Sequence, residues 1–154
     1  MPKIEIANVK EESFTGYPEP YRAAVAGRLR QRLGNVVGLD QFGVNLTRLK
    51  PGAQSSQRHW HAAEDEFVFI LEGTLVLCEN DGETVLKPGD AAGFMAGVAN
   101  GHCLVNRSGA DAIFLEIGTR AAREQAEYPD IDLRAHKNEH GFGYTHKSGE
   151  PYPS

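Results

Sequence analysis

The chain has 154 residues, 40% of them apolar and 24% charged, with a formal charge of -5. That is the length of one ordinary domain, able to bury a core without staples, and it holds no apolar run near the roughly 20 residues of a bilayer-spanning helix. The mixed charge, with no basic arm, argues against nucleic acid as a partner, and two cysteines, Cys78 and Cys103, are too few for a disulfide scaffold.

Three regions follow one another. Residues 1–35 read as an N-terminal extension without the apolar core of a signal peptide, so a cytoplasmic location is expected. Pro18 and Pro20 favour an extended or turn entry. Residues 21–33 fit a short helix by composition, or a strand with Arg28, Arg30 and Arg32 on one face; the text of the chain leaves both open. That arginine cluster is read as a solvated face or a set of local ion pairs.

Residues 36–120 read as β throughout. Gly43–Leu49 alternates and ends at Pro51-Gly52, and Phe67–Leu71 is rich in β-branched and aromatic residues and ends at Gly73. Asn80-Asp81-Gly82 is a strong hairpin signal, Lys87-Pro88-Gly89-Asp90 a second turn, and strands at 102–106 and 112–118 complete the set. Short strands with turns every 8–12 residues indicate an all-β sandwich or barrel. Residues 121–154 are polar and carry three glycines and three prolines. They read as a C-terminal extension, with one or two helical turns at 121–128 and then an extended tail lying on the barrel, crossing to another subunit or remaining disordered.

The informative segment is His59-Trp60-His61-Ala62-Ala63-Glu64-Asp65-Glu66. Two histidines two apart diverge by roughly 200° on a helix but share one face of a strand, so they chelate only in β structure. Glu64, Asp65 and Glu66 compete to add a carboxylate; Glu66 is favoured because it opens a strand that can fix it. His102, at another loop-to-strand junction, is the fourth candidate. Imidazole plus carboxylate suits one divalent transition metal ion, Mn, Fe, Co, Ni or Zn, better than Ca or Mg. Cys78, after the strand-like Leu75-Val76-Leu77, reads as a buried thiol, and Cys103, beside His102, is open to a redox or ligand role.

These residues fall into two ordered motifs, and the chain resembles the cupins, in particular small single-domain bacterial cupins. Gly52, His59, His61, Glu66 and Gly73 fill the first cupin motif, and Gly89, Gly97, His102 and Asn106 the second. Departures are confined to spacers and to Met95, which stands where a proline is usual. The resemblance covers about residues 40–118. It implies a double-stranded β-helix, the jelly-roll barrel, with a metal held inside it by His59, His61, Glu66 and His102 and with one or two coordination positions open.

Counting by twos from the ligands makes Gln57, Val68, Ile70, Leu104 and Asn106 candidates for the pocket wall, while Arg58 and Trp60 face away. Phe94 and Met95 are placed in a loop over the mouth. The pocket is expected to be small, half apolar and poor in cations; Arg48 and Arg58 could hold a carboxylate or phosphate but read more simply as exposed arginines. The partner is then a small molecule, with no nucleic acid or membrane involved, and a homodimer is expected. Three functions fit: a metal-dependent isomerase or lyase acting on a sugar, sugar phosphate or keto or hydroxy acid; an Fe(II) dioxygenase; and a non-catalytic small-ligand sensor. The catalytic residues stay unassigned, and fold alone does not choose among these.

Overall fold

A computed structural model describes residues 2–153 and contains twelve strands and very little helix. In chain order the strands are β1 (Arg28–Arg32), β2 (Phe42–Leu49), β3 (Trp60–His61), β4 (Glu66–Glu72), β5 (Leu75–Glu79), β6 (Gly82–Leu86), β7 (Ala91–Phe94), β8 (Cys103–Val105), β9 (Ala112–Thr119), β10 (Glu124–Tyr128), β11 (Leu133–Asn138) and β12 (Gly141–Thr145). They form antiparallel sheets in the orders β1-β2-β9-β4-β7, β6-β5-β8 and β12-β11-β10-β3. This is a jelly-roll barrel. Among the described residues no helix is long and apolar enough to cross a membrane.

The five-stranded sheet turns one graded face inward. At its closed end Leu49, Ala112, Phe114 and Ile70 are fully buried and pack on Leu75, Leu77, Leu86 and Leu104 of the small sheet. Two residues along, the same face carries the in-register row Arg32, Asn45, Glu116, Val68 and Ala92. Two further, it carries Gly43, Gly118, Glu66 and Phe94. The period of two that defines a strand thus sorts one surface into an apolar floor and a polar mouth. Gly73 lets the chain turn sharply from β4 to β5: its φ is 77°, and a Cβ there would lie 2.7 Å from Asp111 O.

The structure decides between the two readings of the N-terminal end and departs from the reading of the C-terminal end. The 21–33 stretch resolves into a single 3₁₀ turn (Ala23–Val25) followed by strand β1. Residues 121–154 contribute three strands rather than helical turns and a loose tail. Ala, Glu and Gln at 121–128 favour a helix, but β10 gains hydrogen bonds on both sides, from β11 and β3, and tertiary pairing overrides propensity. A second core of Tyr17, Val25, Ala126, Tyr128, Leu133 and Ala135 then joins the C-terminal sheet to the N-terminal segment.

Candidate metal centre

Four side chains converge at the barrel mouth, each delivered by a different device. His59 and His102 sit opposite one another in an isolated antiparallel bridge, with His59 N–H donating to His102 O (3.2 Å) and His102 N–H to His59 O (2.9 Å). His61 ends the two-residue strand β3, which is held by β10 at the pair Ala126–His61. Glu66 opens β4 between Phe94 and Gly118. His59 Nε2 lies 3.0 Å from His61 Nε2 and 3.3 Å from Glu66 Oε1, His61 Nε2 touches Glu66 Oε1, and His102 Nε2 is 2.9 Å from Glu66 Oε2.

The far ring nitrogens decide what this cluster can hold. His59 Nδ1 is 2.8 Å from Gln57 O and His102 Nδ1 is 3.0 Å from Asn100 O. Carbonyl oxygens accept only, so each Nδ1 must carry the proton, and a neutral ring then turns the Nε2 lone pair to the centre. Two fixed imidazole lone pairs and a carboxylate facing one point repel unless a cation sits among them, and His61 Nδ1, buried without a hydrogen-bond partner among the described residues, leaves that ring free to add a third. The donor set, three nitrogens and one oxygen donor residue, fits a divalent transition metal. Glu64 and Glu124 also lie near His61, but Glu124 and one oxygen of Glu64 are committed elsewhere. Glu124 Oε1 accepts from Ala62 N–H (2.9 Å) and Ala63 N–H (3.2 Å), and Glu64 Oε2 accepts from Lys137 (2.7 Å) and Ala121 N–H (2.8 Å). Asp65 Oδ1 caps Ala96 N–H at 2.7 Å.

Without a metal, protons take its place. Burial alone would push the Glu66 carboxyl up; the imidazoles of His102, His59 and His61 outweigh it and hold the group well below the usual 4.5. Burial pulls His61 down, but Glu66, Glu124 and Glu64 together raise it above the usual 6.5. A depressed carboxyl stabilises the fold above its ordinary range and loses that contribution as pH falls; a raised imidazole stabilises below 6.5 and loses its contribution as pH rises through its folded value. The chelator-treated chain should therefore gain most from this cluster between about pH 4.5 and 6.5. The metal-loaded chain, which needs neutral imidazoles, should gain progressively above that window. Urea midpoints for the chain and its Glu66→Gln variant, taken across pH with and without chelator, check both slopes.

The remaining sequence candidates divide. Val68, Phe94 and Leu104 join the metal cluster in lining one cavity of about 470 Å³. Phe94 is no mobile lid: it ends β7 and stacks flat on His102, centroids 3.6 Å apart. Gln57, Ile70 and Met95 do not reach that cavity. Gln57 turns to Tyr21 O (3.1 Å), Ile70 is part of the closed floor, and Met95 is 70% exposed over a smaller hollow that reaches the same cluster at His61, Glu66 and His102. Asn106 is wholly buried. The Cys103 thiol is pushed up to about 12 by burial and the neighbouring Cys78, so it stays neutral.

The arginines are the main correction. Arg58 grips Asp130 with two 2.8 Å bonds, and Arg48 faces Glu11 (3.3 Å) and Asp111 (3.5 Å), both away from the cavity. Arg28, Arg30 and Arg32 instead line it, along with Glu116. The signal was the arginine at every second position, which is a single face once 28–32 is a strand. Glu116 was not singled out because it lies in an otherwise apolar run whose inward phase is set only by pairing with β4.

A family model described as Cupin domain matches residues 45–118. A solved structure from Silicibacter pomeroyi, described as a sugar phosphate isomerase from a cupin superfamily, is 46% identical, covers 99% of this chain and 98% of its own, and has a TM-score of 0.94. One from Acidithiobacillus ferrooxidans, provisionally described as a sugar phosphate isomerase, is 27% identical over 84% of this chain and 83% of its own, with a TM-score of 0.75. A polyketide cyclase from Streptomyces resistomycificus, 23% identical over 77% of this chain and 79% of its own (TM-score 0.62), shares the fold. No curated protein matches the chain.

Proposed function

The chain belongs to the cupin superfamily, and from that premise we propose that it is a metal-dependent isomerase of small hydroxy-carbonyl compounds, sugars or sugar phosphates. One observation carries the reading: a cluster of three imidazoles and a carboxylate and a separate inward carboxylate, Glu116, line the same cavity. The 46% identical relative described as a sugar phosphate isomerase supports it.

A divalent ion bound by His59, His61, Glu66 and His102 would supply Lewis-acid polarisation of a carbonyl or hydroxyl oxygen. The protein supplies the rest. Glu116 lies on β9 two residues before Gly118, the register partner of Glu66, which sets its Cα about 7–8 Å from that of Glu66 on one face. Gly118 between them projects no side chain into the gap. Glu116 Oε1 is anchored by Asn45 (3.2 Å) and Thr47 (3.1 Å), and Oε2 has no hydrogen-bond partner among the described residues. One held oxygen and one free oxygen is the arrangement a general base needs to take a proton from one carbon and return it to its neighbour. Val68, Phe94 and Leu104 keep the wall behind the substrate apolar.

An isomerase of this kind exchanges substrate protons with solvent. Incubated anaerobically in deuterium oxide with Mn, Co or Zn, the chain should place deuterium beside the carbonyl of at least one member of a panel of aldoses, ketoses and their phosphates, followed by NMR. Glu116→Gln should slow this by about 100-fold or more. Consumption of substrate only with Fe and O₂, and no exchange without them, would instead identify a dioxygenase.

A further inference from the structure

Arg30 has five N–H donors, and among the described residues none of its side-chain donors makes a hydrogen bond. Nε is completely buried. It lies 2.6 Å from Glu116 Oε1 without the alignment a hydrogen bond requires, and the side chain is only 19% exposed. Buried donors are nearly always satisfied, and an exception needs a cause. Arg28, on the same face of β1, is 7% exposed; it donates to the carbonyls of Ser55 (2.7 Å) and Phe14 (3.3 Å), and among the described residues it makes no ion pair, Glu116 being the carboxylate whose charge it feels. Arg32, the third member of the face, is neutralised by Glu12 at 3.2 Å. Tyr17 and Tyr144 lie close enough to feel the charge of both Arg28 and Arg30.

The charges are sorted along the cavity. Glu64, Asp65, Glu66 and Glu124 crowd the metal end, where Lys137 neutralises Glu64 at 2.7 Å, whereas the β1 wall presents guanidinium groups and phenols. Three strand spacings separate β1 from β4, about 14 Å between backbones. Side chains reaching inward from both walls leave room between them for a molecule of a few carbons.

The geometry points to a second binding site on the β1 wall, in which Arg28 and Arg30, with the hydroxyl of Tyr144, hold an oxyanion, the phosphate or carboxylate group of a substrate whose other end meets the metal cluster. It deepens the isomerase reading and rests on it only for what lies at the other end. Guanidinium matches such a group through paired, charge-assisted hydrogen bonds. Glu116 is the local competitor: its Oε1 partly neutralises Arg30 when the site is empty, and an incoming oxyanion displaces that contact.

The test needs neither substrate nor metal. Inorganic phosphate and acetate are titrated calorimetrically at fixed ionic strength into the full chain, Arg30→Met, Arg30→Lys, Glu116→Gln and His61→Ala. At least one of the two anions should bind, the better one naming the substrate class as phosphate ester or carboxylate. Binding should weaken tenfold or more in Arg30→Met, weaken several-fold in Arg30→Lys, tighten in Glu116→Gln, and persist in His61→Ala. If Arg30→Met does not fold, the opposite changes in Arg30→Lys and Glu116→Gln decide. No binding of either anion at tens of millimolar, equal binding across the arginine variants, or loss only in His61→Ala overturns the site. The last result would place the anion at the imidazole cluster instead. Persistence in His61→Ala, together with no isomerisation of any sugar by the metal-loaded full chain, would leave this site standing while the isomerase reading fell.

Discussion

His102→Ala is expected to purify as a folded protein that has lost tight metal binding, its affinity down by more than the 10–100-fold that follows loss of a mere outer-shell partner. His102 is the most buried and most constrained of the three imidazoles. Its ring is clamped on Phe94, its Nδ1 proton is spent on Asn100 O, and its Nε2 faces Glu66 at 2.9 Å. Alanine deletes that donor and no neighbour can replace it, since Cys103 is a neutral thiol and Asn100 donates its side-chain amide to Glu79 (2.9 Å). The fold should survive because the bridge to His59 is made by main-chain atoms. His61→Ala should behave alike for metal, as β3 is likewise held through its backbone. Metal content by mass spectrometry beside circular dichroism tests both; full metal retention in the two variants would remove these residues from the site and the isomerase proposal with them.

Much of that centre was legible because strand periodicity and turn chemistry are local. His59, His61 and Glu66 need only extended backbone to share a face, and the flanking residues declare it. The same counting failed at Gln57 for a physical reason: residues 55–58 are bends, not strand, so a period of two does not run through them. It was right in phase at Ile70, which is inward but lies in the closed floor rather than the mouth; depth along a barrel is set by the register of neighbouring strands, which one strand's text does not contain. Register also hid Glu116, whose inward direction follows from its pairing with Val68 and Asn45.

The C-terminal region was hidden by a different cause. Its helix-favouring residues at 121–128 become β because β11 pairs on one side and β3, about 65 residues earlier, offers an edge on the other, and that long-range pairing is what positions His61. Likewise Arg28, Arg30 and Arg32 were judged as surface charges because nothing local says that β2 will place their strand beside the cavity. The polar ends of the chain therefore complete the site: the C-terminal sheet holds one metal-facing imidazole, and the N-terminal strand brings the cationic wall.

Asn106→Ala should produce the largest loss of stability among single polar substitutions, about 2–4 kcal/mol from stranded buried groups, with metal content unchanged. Asn106 falls in the second cupin motif, yet its side chain ties loops rather than touching the centre. Its Nδ2 donates to Leu49 O and Ala110 O, both at 2.8 Å, and its Oδ1 accepts from Ser108 N–H (3.0 Å) and Oγ (2.7 Å). Leu49 ends β2 and Ala110 precedes β9, so one fully buried amide fixes the loop that lets β9 pair with β2. For a chain of this length the melting temperature should drop by roughly 5–15 °C. Asn106→Asp separates hydrogen bonding from simple filling of space. The new carboxylate would keep both Ser108 bonds but aim a charge at two carbonyl oxygens, so it should be worse than alanine at neutral pH and recover in acid, where its proton restores one donor. Equal melting of all three proteins at every pH would show that the loop is held by its backbone alone.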